Sequence, residues 1–106
     1  MSILEGVLVE ELERIRKNIV SYESLLNQLP KGYLSIQILG GKQYAYRKKR
    51  EGKRIVSEYL GPVGSPEYAK AQSDYQERKR IEANLREMRQ DERKLRKALR
   101  HYGDRE

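Results

Sequence analysis

Apolar positions along this chain change period twice. Over the first thirty residues Leu8, Leu12, Ile15, Ile19, Tyr22, Leu26 and Leu29 recur at alternating spacings of four and three, the heptad seam of a helix packed lengthwise on a partner. Ile3, Leu4, Val7, Val9, Val20 and Leu25 widen the stripe, which predicts a helix over residues 3–29 with more than one neighbour. Pro30 and Gly32 end it, because Pro disfavours helix in the residue before it and Gly accepts the positive φ beyond a helix terminus. The period then drops to two. Leu34, Ile36 and Ile38 alternate with Tyr33, Ser35 and Gln37, and Gly40-Gly41 suits a two-residue hairpin turn. A second strand over about 42–49 places Tyr44 and Tyr46 on one face with Lys42 and Lys48, and Gln43, Ala45 and Arg47 on the other. After a Glu51-Gly52 turn, a third strand runs from Arg54 to Leu60.

A helical period returns past the stiff Gly61-Pro62-Val63-Gly64 turn. Ser65 reads as an N-cap, Pro66 as the first helical residue and Glu67 as a complement to the positive helix end. Ile81, Leu85, Met88, Leu95, Leu99 and Tyr102 share a heptad seam, with Glu92 at one seam position. Tyr68, Ala71 and Tyr75 form an earlier, offset stripe, the place where the helix changes from packing on the sheet to packing on the first helix. The expected fold is α+β in one domain over 1–106. Two long antiparallel helices (3–29 and 66–102), a coiled-coil hairpin, are joined by a three-stranded antiparallel β-meander over 33–60. Residues 103–106 read as a frayed tail. Because the second helix is the longer, part of it is expected to protrude or to pair with another subunit, most simply in a homodimer.

Composition sharpens this picture. Charged residues make up 37 % of the 106, and Phe, Trp and Cys are absent. Such a chain buries a thin seam rather than a thick core. Without cysteine there are no disulfides or thiolate metal sites. The N-terminus shows no signal-peptide pattern and no apolar run reaches membrane-span length, so the expected compartment is the cytoplasm, with no membrane partner.

Net charge is +7. Residues 31–65 hold eight basic and two acidic side chains, so most of the excess is local, as in an electrostatic footprint. Arg47, Lys48, Lys49 and Arg50, continued by Lys53 and Arg54, put six cations within eight residues at a hairpin tip. Together with Lys42, Tyr44 and Tyr46 these are the candidate binding residues, cations for phosphates and rings for bases. For Tyr44, Tyr46 and Tyr59 two arrangements compete. They stack on bases, or, the preferred reading, they form the underside of the sheet packed on the second helix through Tyr68 and Tyr75. Arg93, Lys94, Arg96, Lys97 and Arg100 make a secondary basic face, read either as a favourable helix end or as a second phosphate rail. His101, the single histidine, suits the same helix dipole. No metal-ligand, nucleophile or cofactor pattern is present, and Gly40-Gly41-Lys42 lacks the spacing of a phosphate loop. The chain reads as a binding protein and not as an enzyme.

The segments Gly32-Tyr33-Leu34, Gly41-Lys42-Gln43-Tyr44-Ala45-Tyr46-Arg47, Glu51-Gly52-Lys53 and Tyr59-Leu60-Gly61-Pro62 resemble a group of small prokaryotic proteins common near phage and mobile-element genes, with a G-K-x-Y-x-Y hairpin flanked by helices. The hairpin is also similar to the opening of some transposases and, more loosely, to the three-stranded arm-binding modules of tyrosine recombinases. Their catalytic residues have no counterpart here. The resemblance implies a phage or mobile-element setting. The expected function is a nucleic-acid-binding accessory protein, the partner being DNA or RNA. The alternatives are an inhibitor of a host nucleic-acid-processing protein, of which an anti-CRISPR is one type, and a purely structural coiled coil.

Overall fold

A computed structural model of the chain describes residues 2–103. Helix α1 spans Ile3–Gln28, strands β1, β2 and β3 span Tyr33–Leu39, Lys42–Glu51 and Arg54–Pro62, and helix α2 spans Pro66–Gly103. The sheet is an antiparallel meander in the order β1-β2-β3. Gly103 closes α2, and residues 104–106 of the expected tail lie outside the described residues.

The residues fall into two compact units, 1–27 with 80–106, and 28–79. In the helical unit α1 and the later part of α2 run antiparallel, as Glu23 pairs with Arg89 at 3.0 Å and Arg16 with Glu92 at 3.5 Å. Leu12, Ile15 and Ile19 of α1 are buried, as are Ile81 and Leu85 of α2, so the seam lies where the heptads place it. Glu92, the polar member of that seam, is only partly exposed and is reached by Arg16 and, at 3.9 Å, by Arg96. The Ser2 hydroxyl accepts a hydrogen bond from the Glu5 amide at 3.0 Å and caps α1. Of the residues that widen the α1 stripe, Ile3, Leu4, Val7, Val20 and Leu25 stay exposed. The first fourteen residues of α2 belong to the sheet unit, and the remaining 24 of its 38 residues compare with 26 in α1.

In the sheet unit β1 has its expected bounds, and β2 and β3 each extend two residues beyond the expected ends. Gly40 and Gly41 both have positive φ, and Gly52 alone does so in the second turn, the two patterns that match the twist of tight hairpins. Leu60 is an extra residue on β3, so that Gly61 rather than Leu60 lies opposite Ala45, a β-bulge. Ala45 is fully buried and Ala71, in the second turn of α2, nearly so. The Ser65 hydroxyl accepts from the Tyr68 amide at 3.2 Å and caps α2 as expected. Lys79 lies over the Tyr75 ring at 4.8 Å.

Candidate nucleic-acid interface

Strand pairing assigns every sheet residue to a face, because directly opposed residues share one. One face holds Leu34, Ile36, Ile38, Gln43, Ala45, Arg47, Lys49, Val56 and Glu58. It is the face turned to α2, since Leu34 and Arg47 line a narrow recess with Ala71, Asp74 and Tyr75 that admits little more than a water molecule. The opposite face holds Lys42, Tyr44, Tyr46, Lys48 and Arg50 of β2, flanked by Tyr33, Ser35, Gln37 and Leu39 of β1 and by Ile55, Ser57 and Tyr59 of β3.

This corrects the preferred reading of the tyrosines. They do not pack on α2 through Tyr68 and Tyr75. Ala45 is the buried residue on the helix side, and alternation then sends Tyr44 and Tyr46 to the other face. Tyr59 stands across from Tyr46 with its ring centroid 5.4 Å away and at 6.3 Å from Tyr44. The three rings support one another yet remain accessible, Tyr59 being 54 % exposed. Their β1 neighbours, Ser35 opposite Tyr46 and Gln37 opposite Tyr44, are too short or too polar to cover them.

The six-cation cluster is also divided. Arg47 turns to the helix side, where it donates to Glu58 at 3.2 Å. Lys49, on the same side, pairs with Glu51 at 3.2 Å. Arg54, opposite Glu51, shares that face, and Lys53 sits in the turn. Only Lys48 and Arg50 accompany the tyrosines, joined by Lys42. None of these three has an ion-pair partner among the described residues. Both acidic residues of the sheet, Glu51 and Glu58, lie on the helix side. The tyrosine face thus has three cations, four rings (Tyr33 stands opposite Lys48) and no carboxylate.

The secondary basic face lies in the helical unit. Arg93, Lys94, Arg96, Lys97 and Arg100 are all exposed. Arg93, Lys97 and Arg100 follow one another along one side of α2 and line a shallow groove with Arg96, while Arg96 also engages Glu92. On α1, a hydrogen bond from Arg14 holds the Glu11 carboxyl below the usual carboxylate range, so this exposed pair adds no local excess of either sign. No group of three or more His, Cys, Asp or Glu suited to a metal occurs among the described residues, and no helix there is long and apolar enough to cross a membrane.

Residues 6–70 match the family described as Domain of unknown function (DUF6788). The chain belongs to that family. The match takes in most of α1, the whole sheet and the first turn of α2, so the tyrosine face lies wholly within the DUF6788 region and the secondary basic face wholly outside it. No curated protein and no solved structure gives a significant match. Sequence reasoning left Ser35, Gln37 and Ser57 out of the interface. The signal was available in the hairpin, since a Gly-Gly turn of two residues fixes which β1 residue opposes each tyrosine.

Proposed function

We propose that this DUF6788 chain is a non-enzymatic, cytoplasmic binding protein for single-stranded nucleic acid, acting in a phage or mobile-element setting. The observation that carries the reading is the sorting of side chains on the sheet, with tyrosines and unpaired cations on the open face and carboxylates on the other. Bases stack on Tyr44, Tyr46 and Tyr59, an interaction that tolerates any sequence because every base has a π-face. Lys42, Lys48 and Arg50 lie along the same strand as two of the rings and neutralise the phosphates between stacked bases. A single strand suits this face better than a duplex, whose bases are already stacked on each other. Of the other cations of the hairpin, Arg47 and Lys49 have partners within the sheet and contribute less.

Fluorescence anisotropy with labelled single-stranded DNA, single-stranded RNA and duplex DNA tests this. Tighter binding of the single strands is expected. Tyr46→Ala and Tyr59→Ala should each weaken it by about 1–3 kcal/mol, the range found for base–aromatic stacking. Lys49→Ala, on the opposite face, should change it little. Equal loss from Lys49→Ala and from the tyrosine variants would reject the face assignment. No affinity for any of the three probes would reject nucleic acid as the partner and favour a protein target.

A further inference from the structure

The two edges of the sheet are guarded very differently. Along β3 there are Arg54 and Glu58, the bulge at Leu60 and a terminal Pro62, each a feature that discourages another strand from adding. Strand β1, Tyr-Leu-Ser-Ile-Gln-Ile-Leu, has no charge, no proline and no bulge over its seven residues. Ile36, Ile38 and Leu39 are 47 %, 66 % and 58 % exposed. In a molecule of net charge +7, this is the strand on which a like-charged copy meets no cation.

We propose that β1 pairs antiparallel with β1 of a second copy of this chain, making a six-stranded sheet across a two-fold axis at Ile36. The register follows from the hairpin. Leu39 and Lys42 flank the two-residue turn, so they form a hydrogen-bonded pair, and such pairs then fall at every second residue. Tyr33, Ser35, Gln37 and Leu39 therefore direct their backbone groups to β2. Leu34, Ile36 and Ile38 direct theirs to the open edge. An antiparallel partner must offer outward groups at the same positions. Two copies of β1 do so, and centring on Ile36 overlaps the whole strand. Ile36 then faces its own symmetry mate, and Leu34 faces Ile38 on either side. On the other face Ser35 meets Gln37 and Tyr33 meets Leu39. Apolar side chains meet apolar ones on the helix side, and the two tyrosine clusters lie on the same face of one continuous sheet. The contact is isologous and closes on itself, so it yields a dimer and no fibre. It holds whatever the tyrosine face binds.

Sedimentation and amide hydrogen exchange on the full chain test it. The wild type should sediment at twice the chain mass of 12.5 kDa, and the amides of Leu34, Ile36 and Ile38 should lose protection on dilution, while those of Ser35 and Gln37 keep theirs. Ile38→Lys sets a cation in each half of the new pairing at an exposed position, and should give the 12.5 kDa monomer with unchanged circular dichroism. Ile36→Pro, which removes an outward donor at the dyad, should do the same. Ile55→Lys, an equally exposed site on β3, should leave the dimer intact. A monomeric wild type with rapidly exchanging Leu34, Ile36 and Ile38 amides would overturn the proposal, as would a dimer that survives Ile38→Lys. If Ile36→Pro fails to fold, Ile38→Lys alone decides.

Discussion

Gly61 shows how much can depend on one missing side chain. It sits at the bulge opposite the buried Ala45 with φ near 117°, and a Cβ added there would come within 2.9 Å of the Ser65 hydroxyl oxygen. That hydroxyl caps α2. Replacing Gly61 by Ala therefore forces an unfavourable backbone conformation and also disturbs the cap. Urea denaturation should show Gly61→Ala destabilised by about 1–3 kcal/mol, and Ser65→Ala by about 1 kcal/mol. Gly32 is constrained from another side, since a Cβ there would run into the Lys48 carbonyl oxygen. These contacts give physical reasons for the glycines at both ends of the recognisable hairpin text. The sequence could announce a turn at each place, but not which atom lies against it.

At the scale of elements, the helical unit rests on a narrow seam. Leu12, Ile19 and Leu85 are each at least nine-tenths buried, and Leu12→Ala or Leu85→Ala should cost about 2–4 kcal/mol as cavity-forming truncations. Val20→Ala, at an exposed site on α1, should stay within about 0.5 kcal/mol. Chemical denaturation of the three variants separates these classes. Glu92 is a different kind of seam residue. Its pairing with Arg16 joins the two helices, yet both groups reach water, so a double-mutant cycle should give an interaction under about 1 kcal/mol that falls as salt is added. Elements were the most legible level of this chain. Heptad spacing, the two glycine turns and the Ser65-Pro66 start each act locally, and the helix and strand ends fall within two residues of where they point.

At the scale of the whole molecule, the charge excess lies in the sheet unit that carries the proposed interface, while the helical unit holds a core of its own. Leu12→Ala should therefore lower stability without changing the affinity for single-stranded DNA, measured where the variant remains folded. Replacing Lys42, Lys48 and Arg50 together by Ala should flatten the slope of log affinity against log salt by about 2 units, because each phosphate contact on a single strand releases roughly 0.7 of a counterion. An unchanged slope in that triple variant would remove these cations from the interface.

Two properties of this chain come from sequence alone, the order of its elements and the concentration of positive charge in the middle third. Both depend on residue type and on spacing along the chain, which a sequence states directly. Which face of the sheet meets the helix needed the fold. Strand alternation shows that Tyr44 and Tyr46 share a face and that Ala45 and Arg47 share the other, but it is symmetric with respect to inside and outside. Large tyrosines and small alanines both suit a contact with a helix. The tertiary structure put Ala45 on the helix side, where it and Ala71 are both buried, and left the tyrosine rings packed on one another with access to water. That choice also divided the cations, drawing Arg47 and Lys49 to the carboxylates and leaving Lys42, Lys48 and Arg50 beside the rings.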